Sequence, residues 1–98
     1  MSDEVTVVDN QERNRYEARL GGELAGILTY TVANGVSVMP HTVVEPRFEG
    51  RGIGGKLAKA ALDDARKREL KVVPQCPFIA AYIKRNPEYA DLVAPDSL

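Results

Sequence analysis

Tryptophan is absent from this 98-residue chain, and cysteine and histidine occur once each. A lone cysteine, Cys76, excludes an intrachain disulfide. One histidine and one cysteine so far apart in sequence do not make a ligand set, so no metal is implied. Charge of one sign is lacking too: 13 Lys and Arg stand against 14 Asp and Glu, giving a net charge of -1 and a pI near 5.8. That balance excludes a general nucleic-acid backbone binder, and any positive charge that matters has to be local. No apolar run reaches the roughly 20 residues that cross a bilayer, so no membrane partner is expected. Met1 to Glu4 lack the basic and apolar regions of an export signal, and the expected compartment is the cytoplasm. Repeats and low-complexity tracts are missing.

With 44% hydrophobic and 28% charged residues, positions 1–98 read as a single domain. A chain this short buries only about 60 to 65% of its unfolded surface, so a sizeable ligand has to lie in a cleft or along a rim.

Val5 and Val7, then Tyr16, Ala18 and Leu20, alternate with polar residues at the period of half-buried strands. Gly21-Gly22 separates Leu20 from the run Leu24 to Thr31, and Asn34-Gly35 separates that run from Val36 to Met39. Both dipeptides favour the positive φ of tight hairpins, so the first half reads as an antiparallel meander. His41 to Val44 continues the extended chain until Pro46 diverts it. The period then changes: Leu57, Ala58, Ala61, Leu62 and Ala65 share one face of an amphipathic helix of about three to four turns. Leu70 to Gln75 is short and β-branched, and a strand that follows a crossover helix should lie parallel to the strand before it. Pro77 suits the first position of a second helix through Arg85, which Asn86-Pro87 stops. Glu88 to Leu98 shows little beyond the apolar Tyr89, Leu92 and Val93. The expected fold class is α/β (α+β), an antiparallel meander followed by one parallel β-α-β unit and a second helix.

The chemistry-bearing segment is Glu49-Gly50-Arg51-Gly52-Ile53-Gly54-Gly55-Lys56, which joins a strand to a helix N-terminus. Unpaired backbone N–H groups and the positive end of the helix dipole make such a junction a phosphate site. Glycine keeps β-carbons away from the anion and tolerates the positive φ of a nest of amides. Arg47, Arg51 and Lys56 add local cationic charge. Three classes of ligand fit these letters. Gly50-x-Gly52-x-x-Gly55 matches the dinucleotide fingerprint, although that fold begins with a βαβ unit and a meander comes first here. Gly50 to Lys56 nearly matches the nucleotide P-loop, although Leu57 stands where a Ser or Thr must hold magnesium. The third is the pyrophosphate of CoA. The plainer alternative is a turn that merely starts a helix, yet four glycines in six residues cost more conformational entropy than a connector needs.

The stretch Gly50-Arg51-Gly52-Ile53-Gly54, set after a meander and ahead of a crossover helix, resembles the GNAT acetyltransferases. With His41-Thr42-Val43 before the loop and Pro74-x-Cys76-Pro77-Phe78 after it, the chain is similar to the small GNAT-like family of minimal single-domain members, over Tyr16 to Leu92. The resemblance implies a domain that binds acetyl-CoA as co-substrate in the splay between the two parallel strands and transfers acetyl to an amine acceptor. Thr42, Val43 and Val44 would run along the pantetheine arm, with one amide polarising the thioester carbonyl. Gly50, Arg51, Gly52, Ile53, Gly54, Gly55 and Lys56 would hold the pyrophosphate. Glu49 departs from the wider superfamily, which carries Gln or Arg at that position. The link at about Asp9 to Asn14 is too short for the paired helices that line the acceptor site in larger relatives. The acceptor pocket should therefore be open or completed by a partner.

Acetyl transfer needs a deprotonated nucleophile, a donor to the developing oxyanion and a proton for the departing thiolate. His41, whose ordinary pKa lies near neutrality, is the candidate base; its plainer role is a polar strand end. Cys76 precedes a helix N-terminus that favours thiolate, which admits an acetyl-cysteine; its plainer role is a small buried residue. Tyr82 falls about where many GNAT enzymes place the tyrosine that protonates the CoA thiolate, although an aromatic beside Phe78, Ile79 and Ile83 also suits a core. Lys84 and Asn86 are candidates for the adenosine end. The rival reading is a CoA-binding, acyl-sensing module that is acetylated on Cys76 without turnover.

Overall fold

The computed structural model describes residues 4–95; the readings made on Met1 to Asp3 and on Asp96 to Leu98 lie outside them. Strands β1 (Val5–Asn10), β2 (Arg15–Leu20), β3 (Glu23–Thr29) and β6 (Thr42–Val44) form one antiparallel sheet in the order β1-β2-β3-β6. Strands β4 (Thr31–Ala33), β5 (Val36–Val38) and β7 (Lys71–Val73) form a second, in the order β4-β5-β7. Helix α1 (Ile53–Lys67) crosses between the sheets and α2 (Pro77–Arg85) follows β7.

Turn chemistry fixes the meander. Gly21 and Gly22 have φ of 60° and 83°, and Asn34 and Gly35 have 54° and 75°, the double positive φ of a type I′ hairpin. The β1–β2 connection is closed by a short 3-10 turn, Gln11–Arg13, whose Arg13 amide donates to the Asn10 side chain at 3.3 Å. The run read as Leu24 to Thr31 divides at Tyr30, whose amide still donates to the Asn14 carbonyl at 3.0 Å in step with the β2–β3 ladder, before Thr31 starts the second sheet. Val5, Val7, Tyr16, Ala18, Leu20 and Leu28 belong to the core face of the first sheet, where α1 lays Ile53, Leu57, Ala58, Ala61, Leu62 and Ala65. Each fully buried Leu or Ile in that seam contributes roughly 1.5 to 3 kcal/mol of transfer free energy. Gly26 lets the helix approach: a β-carbon there lies 3.1 Å from Ile53 Cγ2.

One expectation is corrected by the register. The parallel partner of β7 is β5, with Val36 opposite Lys71 and Val38 opposite Val73, whereas β6, the strand next to the crossover helix, pairs antiparallel with β3. The cause is Pro40. Met39 still donates to the Val73 carbonyl at 3.0 Å and accepts from the Cys76 amide at 2.9 Å, while the His41 carbonyl already accepts from Thr29 at 2.9 Å. Proline has no amide hydrogen with which to continue the ladder, and the chain changes sheets there. The splay therefore opens between β6 and the β7–α2 junction.

The segment after α2, which the sequence left nearly blank, is pinned by polar contacts. A 3-10 stretch, Pro87–Leu92, places Tyr89 Oη 2.6 Å from Asp63, and Arg66 grips Asp91 through two hydrogen bonds of 3.0 and 2.9 Å. No helix among the described residues is long and apolar enough to cross a membrane.

Candidate functional site

Pro46 starts a short 3-10 turn ending at Phe48, and the chain then runs extended through Glu49 into the glycines. Gly50 and Gly52 take φ of 86° and 73°, so two of the four glycines supply the left-handed backbone that such a nest requires. Gly52 is the N-cap of α1, without a side-chain cap, and the first helical bond runs from the Lys56 amide to the Gly52 carbonyl at 3.1 Å. The amides of Ile53, Gly54 and Gly55 precede that bond and face out of the helix end. Gly54 and Gly55 are thus helical residues; at Gly54 the lack of a side chain serves packing, since a β-carbon there lies 2.8 Å from Phe78 Cζ, whereas one on Gly55 makes an ordinary contact of 3.9 Å with Tyr82 Cε2.

These amides floor a cleft of about 470 Å³. Val44, Phe48 and Glu49 form one wall, Gly50 and Gly52 to Gly55 the floor, and Phe78, Tyr82 and Arg85 the wall on α2. The α2 residues are spaced i, i+4, i+7, so they share one helical face. Ile79 and Ile83 turn to the core. Ala80, Ala81 and Lys84 line a separate groove with Pro74, Pro77 and Val93. Lys84 therefore stands outside the cleft, and Asn86 is occupied capping α2, its side-chain amide donating to the Tyr82 carbonyl at 2.8 Å. Sequence reading missed Phe48, Phe78 and Arg85 as cleft residues; the i, i+4, i+7 stripe was the signal for two of them. Of the cations assigned to the loop, Arg47 pairs with Glu23 and lies 4.8 Å over the Phe48 ring, while Arg51 and Lys56 are exposed beside the cleft. The Ile53 side chain is buried in the core, so its contribution at the cleft is its amide.

At the other end, β6 is the last strand of its sheet. The hydrogen bonds Thr29 N–H to the His41 carbonyl and Glu45 N–H to the Ala25 carbonyl fix the alternation of the ladder. Thr42 and Val44 consequently present their N–H and C=O groups away from β3, along the open edge. Val43 pairs back to Ile27, and its side chain is 54% exposed on the face away from α1.

Cys76 is the N-cap of α2 and only 5% exposed. Its Sγ lies 3.4 Å from Thr42 Oγ1. Burial alone raises the thiol pKa, but hydrogen bonds from the Thr42 hydroxyl and from the amides of Ile79, Phe78 and Thr42 outweigh it and leave the thiol below its ordinary value. Thr42 thus joins the cleft-edge strand to the cysteine. His41 is not brought to Cys76. Its register opposite Thr29 puts the exposed imidazole on the solvent face of the sheet, whereas the Thr42 side chain lies on the other. Among the described residues, no group of three His, Cys, Asp or Glu side chains is arranged to hold a metal.

A family model described as GCN5-related N-acetyl-transferase matches residues 15–92. Protein NATD1 of Mus musculus is 34% identical over 95 residues, spanning 93% of this chain and 86% of its own. Protein NATD1 of Xenopus tropicalis is 34% identical over 98 residues, spanning 96% and 90%. Among solved structures, a GCN5-like protein from Staphylococcus aureus superposes with a TM-score of 0.68 at 27% identity, covering 96% of this chain and 91% of that one. A GNAT family acetyltransferase from Brucella melitensis, in complex with acetyl-CoA, superposes with a TM-score of 0.56 at 21% identity, covering 74% and 50%.

Proposed function

The chain belongs to the GCN5-related N-acetyltransferase family, and from that premise we propose that it takes acetyl-CoA and transfers the acetyl group to an amine through Cys76. The observation that carries the proposal is a succession of neighbours: a glycine-floored cleft that Val44 also lines, Thr42 on the same open strand edge, and Cys76 Sγ 3.4 Å from Thr42 Oγ1. The Brucella relative, which shares the fold, was solved with acetyl-CoA, and that supports the choice of donor.

The residues fit such a donor. Gly50 and Gly52 leave the floor free of side chains, and the amides of Ile53, Gly54 and Gly55 hold pyrophosphate. The Thr42 carbonyl and the edge groups of Val44 hydrogen-bond the amide-bearing arm as a strand would, while the Thr42 amide faces Cys76 Sγ. The Cys76 thiolate attacks the thioester carbonyl carbon, a new C–S bond forms, and the bond to the CoA sulfur breaks. Tyr82, on the cleft wall, donates its phenolic proton to that departing sulfur. The acceptor amine then displaces the Cys76 sulfur, which returns as thiolate. With His41 on the opposite face of the sheet, solvent takes the proton that the amine loses and restores the Tyr82 proton.

A second reading keeps the first half of this sequence only. The β1–β2 link of Gln11–Arg13 leaves the solvent face of β3 and β6 without covering helices, which favours a sensor acetylated on Cys76 without turnover.

The test is intact-mass spectrometry after incubation with acetyl-CoA, beside Cys76→Ala and Gly52→Val, the latter placing a β-branched side chain at a φ of 73° in the phosphate loop. A single acetyl adduct, lost in both variants, is expected. No adduct on the wild type sinks the acyl-cysteine route. Release of CoA that continues past one equivalent with an added amine separates the enzyme from the sensor.

A further inference from the structure

We propose that Arg85 is the specificity residue of the cleft, binding a phosphate of the nucleotide end of the donor and thereby selecting CoA thioesters over shorter pantetheine thioesters. This rests on the acetyl-CoA reading above. Arg85 lines the cleft with Gly50 and Gly52 to Gly55, on the same helical stripe as Phe78 and Tyr82. Among the described residues its guanidinium has no carboxylate partner, whereas Arg15, Arg19, Arg47, Arg66 and Arg68 are each in an ion pair; Arg13 and Arg51 also lack one, but neither lines the cleft. A cation left unpaired in a glycine-floored cleft is available to an anion, and its planar fork suits phosphate oxygens.

Two further observations point the same way. Glu49 lies on the same cleft, so a phosphate settling on the glycine amides meets an acid that has to be offset. Arg47, near that wall, is drawn off to Glu23 and over the Phe48 ring, and Arg51 and Lys56 are exposed beside the cleft without lining it. Arg85 remains as the cationic side chain lining the cleft.

The plain alternative is that a basic residue in the last turn of α2 merely complements the helix dipole, as its neighbour Lys84 does from the opposite groove. Three donors separate the two roles: acetyl-CoA, acetyl-3′-dephospho-CoA and acetyl-pantetheine, measured against wild type, Arg85→Gln and Arg85→Lys. Losing a charge-assisted contact should weaken acetyl-CoA about 10- to 100-fold in Arg85→Gln. Arg85→Lys should recover part of that loss, and acetyl-pantetheine should not change. If the dephospho donor escapes the effect, Arg85 meets the 3′-phosphate; if it shares the effect, Arg85 meets the diphosphate. An acetyl-CoA affinity within about twofold of wild type in Arg85→Gln, or an equal loss for acetyl-pantetheine, overturns the proposal. A wild-type protein that shows no heat of binding with CoA overturns the acetyl-CoA reading together with it.

Discussion

A β-carbon on Gly54, in the first turn of α1, lies 2.8 Å from Cζ and 3.1 Å from Cε2 of Phe78, in the first turn of α2. Glycine here is the condition for the two helix starts to meet edge on, and that meeting sets the width of the cleft between them. The same first turn carries the amides proposed to hold pyrophosphate, so helix packing and ligand geometry rest on one residue.

Gly54→Ala should therefore separate stability from binding. Alanine in the helix favours folding by about 1 kcal/mol relative to glycine. The Phe78 ring, 38% exposed, can rotate off α1 without disturbing the core, and the space open to it is the cleft. The melting temperature should stay level or rise by a few degrees, while calorimetric affinity for acetyl-CoA falls about tenfold. Adding Phe78→Ala should restore binding as a coupled pair does. Undiminished affinity in the single variant contradicts this account.

The parts of the site legible in the sequence were those set by local rules. Paired positive-φ dipeptides announced both hairpins, the 3.6 period announced α1, and glycine density announced the loop. Pro40 gives no comparable signal, because its consequence is not local. It breaks a ladder whose two possible partners, β7 and β3, lie on either side of it in sequence. The Tyr89–Asp63 and Arg66–Asp91 contacts that anchor the end of the chain join positions 26 and 25 residues apart, beyond any helical or strand period. Arg85 carries no such signal for a different reason: a basic residue in the last turn of a helix suits the helix dipole whether or not it lines a cleft.

Gly26→Ala should destabilise the fold. The added β-carbon meets the Val43 carbonyl oxygen at 2.9 Å, Ile53 Cγ2 at 3.1 Å and Leu57 Cδ1 at 3.3 Å. The first of these is backbone in the adjacent strand, so the neighbours cannot give way by a rotamer change alone. Overpacking of this kind costs about 1 to 3 kcal/mol. Thermal unfolding should shift down by roughly 4 to 8 °C for each kcal/mol. A variant melting within a degree of wild type contradicts the contact.

Glu17, buried in β2, ties acid stability to two arginines. Arg15 donates to its carboxylate at 2.9 Å, Asn10 at 3.1 Å and Arg19 at 3.2 Å; together they outweigh burial and lower its pKa. A carboxylate with a depressed folded-state pKa contributes stability above its unfolded value and loses it as pH falls through the folded one. Glu17→Gln should melt below wild type at pH 7, and the gap should close as the pH is taken below about 4. A gap that stays constant down to pH 3 by circular dichroism removes the ion pairs as its source.

Thr42→Val tests what holds the Cys76 thiol below its ordinary pKa. The variant removes the hydroxyl 3.4 Å from Sγ and keeps the amides of Thr42, Phe78 and Ile79. Because thiolate is the reactive form, the rate of alkylation by iodoacetamide should rise with pH and reach half its plateau below the value of a free thiol. In Thr42→Val, burial still raises the pKa while one of its opponents is gone, so the midpoint should move to higher pH. The plateau rate should stay similar, since the buried position of Sγ does not depend on the hydroxyl. If acetyl transfer runs through Cys76, the pH at which the acetyl adduct forms should move up in step with alkylation. Coincident alkylation profiles for the two proteins would show that the helix amides alone set the thiol, and adduct formation that ignores the shift would separate Thr42 from the chemistry.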